Sequence, residues 1–595
     1  MASGRLSSRG CFSSTFINTN VFHASSHSAT TRRLFGTLTG TALVLCSTST
    51  ESAGEMLWAA PISSITSVLA TTPQPDSLLL GPVVIHHADG RTQEQQGIVV
   101  AHGRIKTTGS WEDLQRRYAR WPQIPAPAPH VYPGWIDAHT HFLAWGLGAT
   151  TVDLTGTQNW DECLQRLDAF TAKHPQQTLV FGRGWDQNDW PTSALPPRAS
   201  WENRYPNRTV VLTRVDGHAA LAVGPLIDPL YRKNANGPYA VAGGTVDPTT
   251  GLFLDRATEV LPVFQPSRSD KIAALKRAEQ DAYALGITSV HEAGLPTEDL
   301  LLLDSLHRTG SLQMPIYGMV SDRPADRRYW RHRTALKTDR LSVRSFKFYA
   351  DGALGSRGAL LRTPYADAPH THGLQLYPLR HFERGAREML RKGWQMNTHA
   401  IGDSANGMLL SLYGRVLEDA TQSNHRWRIE HAQLLSDPDV AALGRLRVLP
   451  SVQPCHATSD LPWAGERLGP DRLAALGYRY AALAAASPVL PMGTDVPVEP
   501  LDPRRTWEAG RNAGLTDAQI LKGMTHDAAY AGFEENERGS IAPGFWASFT
   551  FFQHPLEEQS TEQLLQIPVQ STWLHGVQVY LRHVENRALP PASVH

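Results

Sequence analysis

Short apolar runs alternate with longer helix-like segments through the middle of the chain. The run that follows Pro133 and Gly134 is the first of eight, and a helix-like segment such as 270–285 precedes the second. The other seven runs lie at 286–291, 315–320, 345–349, 394–399, 427–431, 448–452 and 489–495. Strand-length runs separated by helical stretches are the pattern of alternating β and α elements. The pattern predicts an α/β fold of the (β/α)₈ TIM-barrel type over residues 133–535.

Four further segments lie outside this regular alternation. Residues 78–104 read as short strands with turn signals between them, and residues 547–552 and 571–581 are also strand-like. The two ends therefore predict one composite β-sandwich, 78–132 with 536–590, although two unrelated additions would give the same pattern. Residues 149–266, with short strands at 179–181 and 210–212, predict an insertion after barrel strand one that forms a lid or subdomain.

Residues 1–55 have the composition of a targeting or disordered segment. The first 50 residues contain no Asp or Glu, are rich in Ser and Thr, and carry the pair Arg32-Arg33. The pair before a mildly apolar run is similar to a twin-arginine export signal, whereas the overall composition is similar to an organellar transit peptide. A start at Met56 is a third interpretation. The compartment therefore stays open between periplasmic, organellar and cytoplasmic.

Composition narrows the classes of function. Lys+Arg and Asp+Glu both number 56, so no basic surface for nucleic acid is expected. The N-terminal apolar run is too short and too interrupted to predict stable membrane insertion. Only four cysteines occur, and none forms a Cys-x-x-Cys pair. A metal site would thus be built from histidine, carboxylate and lysine. The oligomeric state is not determined by the sequence, and a homodimer is one option.

Residues of metal-ligand type recur where the predicted barrel strands end. They are His139 and His141 on strand one, Lys347 on strand four, His399 on strand five, His431 on strand six and Asp495 on strand eight. Each alone has an ordinary explanation, such as a hydrogen-bonded histidine or a helix N-cap. Because barrel enzymes build their sites at this end of the strands, the joint pattern predicts a divalent metal centre.

These motifs together resemble those of the metal-dependent amidohydrolase superfamily. The shared motifs are Pro-Gly-Trp-Ile-Asp-Ala-His-Thr-His at 133–141, Thr-His-Ala-Ile-Gly-Asp at 398–403, Ile-Glu-His-Ala-Gln at 429–433 and Gly-Thr-Asp at 493–495. The segments 184–187, 214–218 and 347–357 are similar to the narrower amidohydrolase-3 (YtcJ-like) family, which includes N-substituted formamide deformylases. The resemblance covers residues 78–581 and implies the barrel with a composite β-sandwich.

The resemblance also implies roles for individual residues. His139, His141, His399, His431 and Asp495 match metal and catalytic positions, and Lys347 matches a lysine that is carboxylated and bridges two metals in many relatives. The expected cofactor is therefore one or two divalent ions, with Zn²⁺ favoured. In the expected mechanism, metal-bound hydroxide attacks an amide carbonyl, and Asp495 acts as general base and then acid. Asp403 and Glu430 are candidates for orienting imidazoles. Glu430 precedes His431 by one position and so faces the opposite way on a strand, and it is not expected to bind metal.

Four residues are candidates for substrate binding, and each has a structural alternative. Asp216 and His218 resemble a family-specific wall of the site, but they would also suit a cap within the insertion. Trp185 would line an apolar pocket or belong to a core. Arg357 would hold a substrate carboxylate or form a surface salt bridge.

The predicted function is hydrolysis of a non-peptide C–N bond in a small amide-like substrate. A deaminase or a cyclic-amide hydrolase would use the same ligands, because this barrel supports many reactions. A catalytically silent, metal-free binding protein is an alternative of another class. The full set of ligand-type residues argues against it.

Overall fold

Seven parallel strands form the central sheet of the molecule. The computed structural model describes residues 75–582, apart from 188–189, 193, 216–218, 233–243, 356 and 419–423. In chain order and in sheet order, the barrel strands are Trp135–Thr140, Ile287–Leu295, Ile316–Ser321, Leu341–Tyr349, Gln395–Ala400, Arg428–His431 and Leu449–Ser451. Every sequential neighbour pairs in parallel. The nearly closed sheet and the helices between its strands fit a TIM-type barrel.

The eighth predicted run closes the barrel without forming a regular strand. Its backbone hydrogen-bonds to strand one through Met492 and to the end of strand seven through Gly493. Only one bridge, Val452 to Met492, has strand geometry. The expectation of a continuous strand at 489–495 was therefore too simple. Pro488 and Pro491 carry no N–H, which prevents an uninterrupted ladder on both sides.

The helices pack against all three sheets of the molecule, and capping side chains fix several of their first turns. Ser267 caps the helix before strand two, and its hydroxyl and Asp270 form a capping box. The helices are Trp111–Arg117, Phe142–Leu147, Trp160–Lys173, Asp228–Arg232, Arg268–Ala284, Thr297–Arg308, Pro324–Trp330, Leu379–Lys392, Asp403–Leu417, Asp437–Leu446, Pro454–Leu468, Pro470–Leu476, Tyr480–Ala486, Pro503–Asn512, Asp517–Gly523, His526–Ala531 and Thr561–Leu564. Among the described residues, no helix combines the length and apolar character needed to cross a bilayer.

Strands from both ends of the sequence share one mixed sheet. Its members are Ser77–His86, Thr92–Ala101, Arg104–Ser110, Gln123–Pro125, His130–Pro133, Phe549–Phe552, Ser571–Leu574 and Val577–Leu581. The joint lies where Phe549–Phe552 pairs antiparallel with His130–Pro133, directly before barrel strand one. The predicted strand 571–581 is a hairpin, because His575 and Gly576 both have positive φ.

A third sheet lies within residues 152–255, inside the segment expected to be an insertion. Its strands are Val152–Asp153, Leu179–Trp185, Thr209–Arg214, Ala219–Val223, Gly244–Asp247 and Leu252–Asp255. Trp185, Trp190 and Trp201 belong to one apolar core of this segment. The domain boundaries predicted from the sequence stay predictions, and residues 1–55 lie outside the described residues.

A substitution at Gly286 tests the contact between the mixed sheet and the barrel. It has φ +84°, and an added Cβ would lie 2.5 Å from Cγ2 of Thr550. We expect Gly286→Ala to lower the free energy of unfolding by about 2–4 kcal/mol through backbone strain plus overpacking. Gly393→Ala is the control, since Gly393 has φ +69° and nothing within 4 Å; it should lose about 1 kcal/mol. Equal losses in denaturant unfolding would contradict this packing argument.

Candidate metal centre

Barrel strand one delivers two histidines to the carboxyl end of the sheet. His139 is fully buried on the strand, and His141 follows the strand as the residue before helix Phe142–Leu147. Glu292, at the end of strand two, accepts a hydrogen bond of 2.5 Å from the N–H of Phe142. This bond fixes the start of that helix and hence the position of His141 next to it.

The closing segment brings Asp495 against these two histidines. The N–H of Asp495 donates to the carbonyl of His139 at 2.7 Å, and Asp495 has φ +62°. Its Oδ1 lies 3.5 Å from Nε2 of His139 and 3.3 Å from Nε2 of His141. Asp137 reinforces the contact, because its carboxylate accepts from the backbone N–H and the hydroxyl of Thr494 at 3.0 and 2.7 Å.

Strands four to six supply the other predicted ligands. Nζ of Lys347 lies 3.0 Å from Nε2 of His139. The ring of His431 lies 4.9 Å from that of His139 and 4.6 Å from that of His399, centroid to centroid. Nδ1 of His431 is 3.9 Å from Oδ2 of Asp495. All six predicted metal residues therefore converge on one end of the barrel.

Three of the six form a compact group suited to a metal ion. One ligand atom from each of His139, His431 and Asp495 lies within 4.8 Å of the other two, and all three residues are buried. Oδ1 of Asp495 is buried, and among the described residues its contacts at 3.3 and 3.5 Å with the imidazoles of His141 and His139 do not have the geometry of good hydrogen bonds. A buried carboxylate oxygen without a partner is costly unless a cation or donor completes its environment. Imidazole and carboxylate donors at this spacing fit a divalent metal.

The electrostatics of the group favour the protonation states that bind metal. Burial is the main cause that lowers the pKa of His139, and the charge of Lys347 is the second. The same two causes lower the pKa of His399 to about 3. Burial likewise lowers the pKa of Lys347. Burial opposes ionisation of Asp495, but the neighbouring histidines hold its pKa well below the usual value. Neutral imidazoles and an ionised carboxylate are the ligand forms required.

Glu430 orients the His139 ring through Nδ1, the ring nitrogen on the far side from Asp495. Its Oε2 lies 2.6 Å from Nδ1 of His139, so that ring can donate at Nδ1 and present Nε2 to the site. Burial opposes the charge of Glu430, yet His139 and Arg428 lower its pKa to about 2. The buried guanidinium of Arg428 lies 3.8 Å away and donates to the carbonyls of Ala138 and Ala531.

The expected role of Asp403 near an imidazole was wrong. Asp403 accepts from the backbone N–H of Arg362 at 3.0 Å instead. Asp351 lies closer to the predicted ligand, with Oδ1 3.6 Å from Nε2 of His399. Its carboxylate also accepts from the N–H groups of Ile401 and Gly402. The sequence favoured Asp403 as the partner of an imidazole because it follows His399 closely. In the structure, the loop after strand four places Asp351 next to His399 instead.

Strand seven contributes two residues that the sequence did not single out. Oε1 of Gln453 lies 2.8 Å from Nδ1 of His431, which leaves Nε2 of that ring for the site. Nε2 of His456 lies 3.7 Å from Oδ2 of Asp495. Both follow Leu449–Ser451, so their position just past a strand end was the available signal.

The structure places two of the four predicted substrate-binding residues in structural contacts. Trp185 is 1% exposed and donates from Nε1 to the carbonyl of Leu212, so it is a core residue and not a pocket wall. Arg357 pairs with Asp367 through two hydrogen bonds of 3.1 and 2.7 Å, which is the salt-bridge alternative. Asp216 and His218 lie outside the described residues.

A buried histidine and aspartate group at the carboxyl ends of parallel barrel strands is an arrangement used by metal-dependent hydrolases. Comparison with known proteins agrees with this class. The model of the amidohydrolase family matches residues 129–580. The chain therefore belongs to the amidohydrolase family, in its amidohydrolase-3 (YtcJ-like) branch. It is accordingly a metal-dependent hydrolase of C–N bonds acting on small molecules.

Two curated relatives match most of the chain. "Putative amidohydrolase YtcJ" of Bacillus subtilis is 27% identical over 514 residues, covering 82% of this chain and 96% of the relative. "Protein LONG AFTER FAR-RED 3" of Arabidopsis thaliana is 28% identical over 546 residues, covering 84% and 91%. The matches extend well beyond the site motifs, and so the relationship covers the barrel and its flanking strands.

Solved structures show the same fold. An uncharacterised metal-dependent hydrolase from Pyrococcus horikoshii OT3 aligns with a TM-score of 0.69 at 26% identity, covering 82% of this chain and 99% of that one. Its counterpart from Pyrococcus furiosus aligns with a TM-score of 0.66 at 26% identity, covering 79% and 97%. These likenesses support the barrel and a divalent metal.

Removing the charge of Glu430 should weaken metal binding. We expect Glu430→Gln to lower zinc affinity about 10–100-fold, because an amide orients the His139 ring less strongly than a carboxylate. Competition with a chromophoric chelator measures this. Glu279→Gln is the matched control, since Glu279 is a buried carboxylate bonded to the N–H groups of Gln313 and Met314. Unchanged affinity in Glu430→Gln, or an equal loss in the control, would contradict the orienting role.

Proposed function

We propose that this protein hydrolyses a non-peptide amide bond of a small molecule, with N-substituted formamides and related amides as the substrate class. The observation that carries the proposal is the buried group of His139, His431 and Asp495, surrounded by His141, Lys347 and His399. Its place at the carboxyl end of the barrel supports a catalytic role over a structural one.

The proposed metal is Zn²⁺, held by the imidazoles and by Asp495. Imidazole and carboxylate ligands suit zinc, and the compact ligand group found among the described residues contains no cysteine. When bound, such an ion acidifies a water molecule and polarises a carbonyl group. The chain itself supplies the orientation of the ligands through Glu430 and Gln453.

Asp495 is the proposed general base and acid. The neighbouring histidines keep its carboxylate ionised, and its Oδ1 lies 3.3 and 3.5 Å from Nε2 of His141 and of His139. That oxygen can accept the proton of the attacking water and then release it to the leaving nitrogen. The hydrogen bond from its own N–H to His139 fixes the backbone from which the carboxylate extends.

Carboxylation of Lys347 is also proposed. Burial lowers the pKa of its amine, which increases the fraction of the neutral form. A neutral amine reacts with CO₂ by forming an N–C bond and losing a proton. The resulting carbamate would add one negative charge to a site that contains several imidazoles. As a bridging ligand it would let the site hold two metal ions in place of one.

The proposed domain division follows the three sheets. Residues 78–132 with 536–590 form the composite domain, 133–535 form the barrel, and 149–266 form a subdomain inserted in the barrel. The separate core around Trp201 supports the insertion, and the pairing of Phe549–Phe552 with His130–Pro133 supports the composite domain.

Metal content distinguishes the forms of the site. We expect about two zinc ions per wild-type chain by elemental analysis if Lys347 is carboxylated, and about one or fewer in Lys347→Ala. His399→Ala should also lose zinc. Lys337→Ala is the control, because Lys337 is paired with Glu534 away from these ligands. About one ion in both wild type and Lys347→Ala would mean an unmodified lysine.

Asp495→Asn should abolish turnover while leaving the protein folded. We expect kcat to fall at least about 10³-fold, because the amide cannot take the proton. Amine release from a panel of N-substituted formamides, including N-benzylformamide, measures the rate. Asp367→Asn is the control, since Asp367 pairs with Arg357 and Arg467. No turnover of any amide by zinc-loaded wild type would count against the proposed substrate class.

A further inference from the structure

His456 reaches the metal centre from an element that supplies none of the six predicted ligands. It lies in the first turn of helix Pro454–Leu468, which begins three residues after strand seven ends. The residue is 7% exposed. Its Nε2 lies 3.7 Å from Oδ2 of Asp495, on the carboxylate oxygen opposite the one that faces His141.

The imidazole of His456 has an unused nitrogen. Nε2 is buried and has no hydrogen-bond partner among the described residues. An unsatisfied buried N–H costs on the order of 1–3 kcal/mol, so a partner that arrives with a ligand would recover that loss. The separation of 3.7 Å from Asp495 is too long for a hydrogen bond of its own.

The surroundings hold the ring in place. Its centroid is 5.7 Å from that of His431, with the ring planes 26° apart. Gln453, three residues earlier, is bonded to Nδ1 of His431, and this bond ties the loop after strand seven to the centre. A rigid ring with a free nitrogen at the reacting carboxylate is arranged for a ligand contact.

Two further carboxyl groups near His456 already have hydrogen-bond partners of their own. Oε1 of Glu499 accepts from the hydroxyl of Ser459 at 2.5 Å, and Oδ2 of Asp460 accepts from Tyr478 and Gln433 at 2.7 and 2.6 Å. Among the described residues, neither carboxylate has an ion pair with Lys or Arg. The carboxylate of Asp495, 3.7 Å away, favours an N–H over a lone pair at Nε2, because the hydrogen is the positive end of the N–H dipole.

We propose that His456 is a catalytic residue that donates a hydrogen bond from Nε2 to the carbonyl oxygen of the substrate amide. The inference rests on the proposed function and adds to it the donor that would stabilise the oxygen as it gains charge. The carbonyl oxygen is the acceptor because the lone pair of an amide nitrogen is delocalised. His456 is not one of the compact ligand group, which argues for a substrate contact.

Binding of an amide isostere to the metal-loaded protein tests the proposal without turnover. Acetohydroxamate is titrated into cobalt-loaded protein, and the visible cobalt absorption reports the dissociation constant. We expect His456→Phe to bind about tenfold more weakly than wild type, since the ring remains but the donor is lost. His456→Gln, which keeps an N–H donor, should stay within about threefold. Thr458→Ala is the control on the same helix, as Thr458 is exposed.

Cobalt content and the thermal transition accompany each titration. Unchanged cobalt content in both His456 variants is expected, and a clear loss in both would make His456 a metal ligand and overturn the proposal. Equal hydroxamate affinity in wild type and His456→Phe would overturn it as well. If His456→Phe does not fold, His456→Ala is used in its place, and it too should bind acetohydroxamate more weakly than wild type. Failure of wild type to bind acetohydroxamate would instead refute the amide-binding metal centre itself.

Discussion

The closure of the barrel by residues 492–496 is the constraint on which the site depends. This segment bonds to strand one through Ala138 N to Met492 O at 3.0 Å and His141 N to Val496 O at 2.8 Å. Asp137 adds side-chain bonds to Thr494. The same bonds that complete the sheet also place the carboxylate of Asp495 beside the histidines. Closure of the barrel and placement of Asp495 in the metal centre therefore depend on the same hydrogen bonds.

Buried charges in the barrel contact one another and are hydrogen-bonded. At the carboxyl end, Asp495 contacts the imidazoles, and Glu430 supports His139 from the opposite side of its ring. Arg428 lies beside Glu430 and is satisfied by carbonyls from Ala138 and Ala531. An isolated buried charge would be prohibitive, whereas paired and hydrogen-bonded charges are tolerated and hold geometry.

The sequence was sufficient for seven of the eight barrel strands, because each is an apolar run of strand length. It also predicted that six ligand-type residues come together, and the structure brings them to one end of the barrel. The sequence was insufficient for contacts made by loops. Asp351 reaches His399 from the loop after strand four, and His456 enters from a helix that has no metal-binding motif. Trp185 was ambiguous because an indole suits both a pocket and a core, and only packing decides between them.

The mixed sheet has a consequence for how the chain reaches its native state. Residues 130–133, which lead directly into barrel strand one, pair with residues 549–552, more than 400 positions later. Contacts of such high sequence separation form late, because loop closure must precede any gain from pairing. During synthesis the first barrel strand therefore emerges long before the neighbour of its leading segment. Until then that sheet edge stays open to other chains, which makes the interval before chain completion the period of greatest aggregation risk.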